Sequence, residues 1–211
     1  MPSESNPTES HRLAPGASRP SLTIALIGAT KIAEQIASRA LCAGINVIID
    51  DISDARLQAA SIHLHDFVRA QHCCAPGPHD QPASPQSDFS SSSSTVPNLT
   101  LTQSIESAIR QADFLIDALP DDLEVKLELF TLFDKFAKPN AIFITTGSIP
   151  IDDLAGITFS PDRCVAVEIT VARSDGDTAY RLIAGAQTSP ETLALSSDLF
   201  ARVCGFLPVQ G

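Results

Sequence analysis

A short apolar strand that runs straight into a glycine, and then into a helix of small residues, constrains this chain more than any other feature. Residues Leu22 to Ile27 (LTIALI) are apolar enough for a strand buried on both faces. Gly28 follows at once in Gly28-Ala29-Thr30-Lys31-Ile32-Ala33, and a small-residue helix is expected over Ala33 to Ala43. Strand, glycine turn and helix form the context in which a Rossmann unit cradles phosphates. The full pattern is G-x-G-x-x-G, and only its first glycine is present here.

Each glycine of that pattern has its own physical task. The first allows the tight turn, which Gly28 can make. The second lets the backbone approach a pyrophosphate, and Thr30 stands there with a branched Cβ that would crowd the phosphates. The third allows close packing of helix on strand, for which Ala33 is a mild replacement. Lys31 offers a cation in partial compensation, and a helix N-terminus attracts anions whatever its side chains. A βαβ unit whose turn has drifted away from binding remains the open alternative.

A second strand, Asn46 to Ile49, runs into Asp50 and Asp51. Asp51 stands 23 positions after Gly28, close to the offset of about 20 at which an acid accepts from the ribose hydroxyls. That acid would favour NAD by repelling a 2′-phosphate. The same stretch also reads as a helix start, with Ser53 as N-cap and Asp54 in the first turn.

The rest of the chain alternates short apolar runs with helical patterns, which predicts one α/β domain: a Rossmann-like, doubly wound, mainly parallel sheet with helices on both faces. Strands are expected at Leu99 to Leu101, Phe114 to Ala118, Ala141 to Thr145, Cys164 to Ile169 and Tyr180 to Ile183, with Phe206 to Val209 closing the sheet. Helices are expected after Ser104, over about Asp122 to Phe136, and from Pro190 to Val203 behind a Ser189 cap. Residues 1–21, rich in Ser, Pro and Glu, read as a disordered tail, and residues 72–98, with a five-serine run, as a low-complexity loop inside the 22–211 domain.

Charge and composition narrow the function classes. A formal charge of −11, with basic residues spread thinly, argues against nucleic acid or an anionic membrane as partner. No run approaches the ~18 apolar residues of a membrane span. Five cysteines without a secretion signal fit reduced thiols and a cytoplasmic setting. His63, His65, His72, Cys73, Cys74 and His79 cluster in sequence but match no ligand spacing, so no metal site is expected.

Three segments carry a resemblance to a family. They are LTIALIGAT to ISDARL, then ESAIRQADFLIDALPDDLEVKLELFTLFDKFAKPNAIFITTGSIPIDDLA, then PDRCVAV. Together they resemble the NAD-binding domain of 3-hydroxyacyl-CoA dehydrogenases. The most specific stretch is Asp117 to Phe136, where the family carries a strand-end acid, E-N-x-x-V-K and E-L-F-x-x-x-D-K.

The resemblance implies NAD as cofactor, with Asp121 and Lys126 joining Gly28, Thr30, Lys31, Ala33 and Asp51 in binding it. It implies acyl-CoA as substrate, its 3-hydroxyl oxidised by hydride transfer to NAD. In the family a His takes the hydroxyl proton, a Glu orients that His, and a Ser and an Asn assist. Ser148 falls on the serine. Glu168 falls on the His, Val171 on the Asn and Ala184 on the orienting Glu, so the proton-transfer dyad is replaced.

Glu168 could act as a general base only with a pKa well above its ordinary value of about 4.3. The family also continues into a helical domain beyond the point where this sequence ends. The resemblance therefore implies an NAD(H)-binding domain that is catalytically degenerate on its own. The alternative is an active oxidoreductase completed by a separate helical domain or partner chain. The Gly28-Ala29-Thr30 turn also resembles that of atypical short-chain reductases, but a Tyr-x-x-x-Lys pair is missing, since Tyr180 is followed by Ala184.

Overall fold

The computed structural model describes residues 22–72, 98–171 and 178–204. Seven strands form one sheet in the order β3-β2-β1-β4-β5-β6-β7. The strands are β1 (Thr23–Ile27), β2 (Asn46–Asp50), β3 (Leu99–Thr102), β4 (Phe114–Asp117), β5 (Ile142–Thr146), β6 (Cys164–Val171) and β7 (Thr178–Ala184). All neighbours pair in parallel except β6 and β7, which form an antiparallel edge. The helices are α1 (Lys31–Cys42), α2 (Asp54–His72), α3 (Ile105–Gln111), α4 (Leu123–Phe136), α5 (Ile151–Ala155) and α6 (Pro190–Cys204).

Side-chain alternation along the parallel strands supplies two cores. Ile24, Leu26, Val47, Ile49, Ile116 and Ile144 face α1, α2 and α6. Ala25, Ile27, Ile48, Leu115 and Phe143 face α3, α4 and α5. Strands buried on both sides read as continuous apolar runs, as NVII and AIFI do. Helix α1 buries Ala33, Ile36, Ala37, Ala40 and Leu41, a stripe at helical spacing whose small residues let it sit close to the sheet.

Helix α4 buries Lys126, Leu129, Phe130 and Phe133 on one stripe. Phe130 and Phe133 meet Phe143 of β5 at centroid distances of 6.3 and 5.5 Å. This packing sets the height of α4 over the strand ends. Because β1 sends its helix to one face and β4 to the other, the strand order reverses between them. That reversal opens a crevice at the carboxyl ends, the usual ligand position of such sheets.

The observed elements follow the sequence reading with small differences. Ser104 occupies the N-cap position of α3, yet its side chain makes no capping bond; its N–H instead donates to Thr102 Oγ1. Ser189 does cap α6, accepting from the Thr192 N–H at 3.1 Å. His72 ends α2 rather than opening a loop. The expected tail (1–21), nearly all of the low-complexity segment and the Phe206 to Val209 strand lie outside the described residues. Among the described residues the far edge of the sheet is β7. Helix α5, five residues long, was not expected.

Phe130→Ala should cost about 3–5 kcal/mol in urea unfolding, by lost burial and a residual cavity among the three rings. Leu123→Ala, half-exposed in the first turn of the same helix, should change stability by only about 0.5 kcal/mol.

Candidate functional site

Two glycines build the crevice. Gly28 has φ +99° and Gly147 has φ +114°, conformations that side chains rarely tolerate. A Cβ at Gly28 would meet Leu119 Cδ2 at 2.9 Å, and one at Gly147 would meet Asp121 Oδ1 at 2.1 Å. The side chains of Leu119 and Asp121, from the loop after β4, therefore pack directly on the glycine turns after β1 and β5. The result is a cleft of about 330 Å³ lined by Thr30, Lys31 and Ile32 at the start of α1, Ala118 to Asp121 after β4, and Thr146 and Gly147 after β5.

Thr30 is the N-cap of α1. Its hydroxyl accepts from the Ala33 N–H at 3.3 Å and donates to the Ala118 carbonyl at 3.1 Å. The residue in place of the second glycine thus bridges the crevice, and Leu119 packs on Gly28 from the same side. The first-turn amides of α1 at Lys31 and Ile32 have no intrahelical acceptor, and the Lys31 side chain is exposed beside them. These donors and this cation are what the cleft offers an anion. Ala33 is fully buried and does its packing task.

The floor of the cleft is a buried ion pair. Lys126 Nζ lies 2.5 Å from Asp117 Oδ2, and both side chains are fully buried. The ammonium also donates to the carbonyls of Leu119 and Thr146, at 3.2 and 3.0 Å. Thr145 Oγ1 donates to Asp117 Oδ2 at 2.8 Å, and the Leu119 N–H donates to Asp117 Oδ1 at 2.9 Å. The sequence expectation placed Lys126 among the cofactor-binding residues. Its donors are spent inside the protein, so it acts on the site by holding the loop after β4. Lys126 precedes Leu129, Phe130 and Phe133 by three, four and seven positions, and that spacing already placed it on the buried stripe.

Asp121 links two loops. Its Oδ2 accepts from the Ser148 N–H at 3.0 Å and from Ser148 Oγ at 2.7 Å. These two hydrogen bonds hold its carboxyl below the ordinary range, with Lys126 assisting at 3.8 Å. Ser148 is thus tied to Asp121 at the cleft's margin. Glu168 is not among the cleft residues. It sits on β6 opposite Arg181 of β7, and Arg181 Nη2 donates to its carboxylate at 2.5 Å. Directly opposite residues of unlike charge attract across an antiparallel pair.

Asp51 lies directly after β2, against the glycine turn. Its Oδ2 accepts from the Ala29 N–H at 2.9 Å and its Oδ1 from the Ser53 N–H at 2.8 Å. Arg56 binds both oxygens, at 2.7–3.0 Å. Burial alone would raise this carboxyl, but the Arg56 bonds, the two amides and the Arg56 charge outweigh it and lower its pKa. Its neighbour Asp50, which sequence reasoning treated only as part of a helix start, is a buried acid inside an apolar strand. Among the described residues Asp50 Oδ1 has no hydrogen-bond partner, and burial, with the Asp51 charge second, pushes its pKa from 3.8 to about 6. The signal was present in the run NVIID, where an acid occupies a core position.

Breaking the buried pair by Lys126→Ala should destabilise the protein by about 3–5 kcal/mol in denaturant titration, because the buried Asp117 carboxylate loses its countercharge. Asp50 has the opposite sign. Its folded pKa is above the unfolded value, so its contribution is full below pH ~4 and is lost as pH rises through about 6. Asp50→Asn should accordingly gain up to about 3 kcal/mol at pH 7.5 and nothing at pH 4, measured as unfolding free energy across pH.

Comparison with known proteins agrees with this geometry. The model of the 3-hydroxyacyl-CoA dehydrogenase NAD-binding domain matches residues 23–210. L-carnitine dehydrogenase of Burkholderia mallei is 27% identical over 197 residues, covering 89% of this chain and 54% of that protein. Mitochondrial hydroxyacyl-coenzyme A dehydrogenase of Sus scrofa is 34% identical over 70 residues, 33% of this chain and 22% of that one. The crystal structure of (S)-3-hydroxybutyryl-CoA dehydrogenase from Ralstonia eutropha superposes with a TM-score of 0.72 at 21% identity, covering 90% of this chain and 63% of that chain, which shows a shared fold. The chain spans about half the length of L-carnitine dehydrogenase. The family match runs through every described element from β1 to α6, and this chain belongs to the 3-hydroxyacyl-CoA dehydrogenase NAD-binding domain family.

Proposed function

We propose that this chain is a dinucleotide-holding domain that binds NAD(H) across the carboxyl edges of β1 and β4 and performs no 3-hydroxyacyl-CoA oxidation by itself. The observation that carries the binding half is the glycine turn at the switch point, with the N-terminal amides of α1 and Lys31 beside one cleft. NAD, when bound, supplies a hydride acceptor. The chain's own residues would hold its pyrophosphate at the start of α1, with Thr30 and Leu119 yielding to admit it. Asp121 and Ser148 would border the far end of the dinucleotide.

The observation that carries the non-catalytic half is the state of Glu168. Its carboxylate is held by Arg181, and the position of an orienting acid is Ala184. General acid–base catalysis contributes about 10²–10⁴-fold, and that contribution needs a base within reach of the substrate proton.

A second reading is favoured by one specific feature. Ile32 beside the cleft and Leu123 and Val125 at the start of α4 are large apolar residues left 38–46% exposed. A separate helical-domain protein covering them would complete a cleft for acyl-CoA. In that reading the oxidoreductase is active only in the assembled pair.

Calorimetric titration with NADH should give saturable binding, and its absence at millimolar concentration would refute the binding half. Thr30→Gly should tighten NADH by removing the Cβ and the bridge to Ala118, while lowering the melting temperature slightly through the lost cap; unchanged affinity would show that Thr30 crowds nothing. Absorbance assays with short and medium 3-hydroxyacyl-CoA should show no useful turnover by the chain alone. Robust turnover abolished by Glu168→Gln would make Glu168 a working base.

A further inference from the structure

We propose that Arg56 fits this site to a 2′-phosphorylated adenosine ribose, so that the domain takes NADP(H) at least as readily as NAD(H). The inference rests on the dinucleotide reading above and adds which ribose the site holds.

A free acid at the end of the second strand selects NAD in two ways: it accepts from both ribose hydroxyls, and it repels a 2′-phosphate. Asp51 can do neither as it stands. A carboxylate offers about four lone-pair sites. Two backbone amides and a bidentate guanidinium occupy them, and the Asp51 side chain is only 4% exposed. No accepting capacity remains for ribose hydroxyls. The Arg56 charge cancels the Asp51 charge at 2.7 Å, so the repulsion is removed as well.

Arg56 itself faces outward, with a side chain 57% exposed. Its guanidinium has five N–H donors and spends only Nε and one Nη2 hydrogen on Asp51. Among the described residues the other three have no acceptor, and they form the planar edge that suits a phosphate. Ser53 adds a hydroxyl next to them: its Oγ accepts from the Arg56 N–H at 3.4 Å and keeps its own hydrogen to donate. Both residues stand at the start of α2, where the helix dipole favours an anion.

Two acids stand nearby. Asp54, in the first turn of α2, is exposed to screening solvent and turned to Gln58 Nε2 at 2.7 Å, so it leaves the Arg56 donors unfilled. Asp50 alternates onto the Ile48 face of β2, away from α2. The arrangement also explains why Asp51 remains in a site that does not use it on ribose: it aims Arg56 and holds the Ala29 amide of the glycine turn.

The test is a matched calorimetric titration of NADH and NADPH. Wild-type protein should bind NADPH within about threefold of NADH or tighter. Arg56→Ala should weaken NADPH by about tenfold or more and leave NADH no weaker, shifting the preference towards NADH. Arg56→Lys, which keeps the charge but loses the fork, should fall between, and it serves if the alanine variant does not fold. Wild-type binding of NADH about 100-fold tighter than NADPH, or an NADPH-to-NADH ratio unmoved by either variant, would overturn the assignment while leaving the dinucleotide reading intact. Binding of neither dinucleotide would instead sink that reading, and this inference with it.

Discussion

The buried Lys126–Asp117 pair is the constraint on which the rest of this site depends. Helix α4 offers the sheet a stripe of Leu129, Phe130 and Phe133, and Lys126 is the fourth member of that stripe. An ammonium there must find partners or destabilise the core. It finds the acid at the end of β4, the Leu119 carbonyl after β4 and the Thr146 carbonyl at the end of β5. A buried pair is weak evidence for net stability, since well-packed apolar residues could replace it. Its effect is positional: it ties two strand ends and one helix to a single point, and the loop from Ala118 to Asp122 inherits its shape from that point.

That loop then decides what the crevice looks like. Leu119 comes to rest on Gly28, the Ala118 carbonyl takes the Thr30 hydroxyl, and Asp121 reaches across to Ser148 over Gly147. Both positive-φ glycines are at places where side chains of this loop pack on another turn. The crevice of the fold is therefore present but bridged by the protein's own groups. The family's chemistry needs more than a bridged crevice. In the reading proposed above it needs a base aimed at the substrate, and Glu168, which the resemblance puts at that position, is paired with Arg181 across the antiparallel edge.

Much of the fold was legible because it rests on periodicity. The apolar runs at Leu22, Asn46, Phe114, Ala141 and Cys164 and the helical stripe of α4 are one-dimensional signals of burial, and the sheet realises them. The Gly28 turn was legible because only glycine suits its φ. Short α5 was not, since five residues carry too little pattern to register.

Among the site residues, legibility fell with dependence on side-chain partnership. Lys126 read as a ligand because its motif carries a lysine, although its spacing already put it inside. Asp51 stood at the ribose offset, and nothing in the spacing alone says that Arg56, five positions on, turns back to close it. Asp50 looked like part of a cap until its place in the parallel strand made it a buried acid. Motifs name residues; register and packing decide which way they face.

The positional role of the buried pair is tested most directly by replacing both members at once. In Asp117→Leu/Lys126→Met the charges go together, so global stability should stay within about 2 kcal/mol of wild type. Amide hydrogen exchange then reads the loops. The account predicts that the Ser148 amide, held by Asp121 and remote from the substitution in sequence, loses protection, while Ala25 and Leu115 in the central strands keep theirs. A Ser148 amide as protected as in the wild type, in a folded double variant, would show that the pair does not shape the cleft.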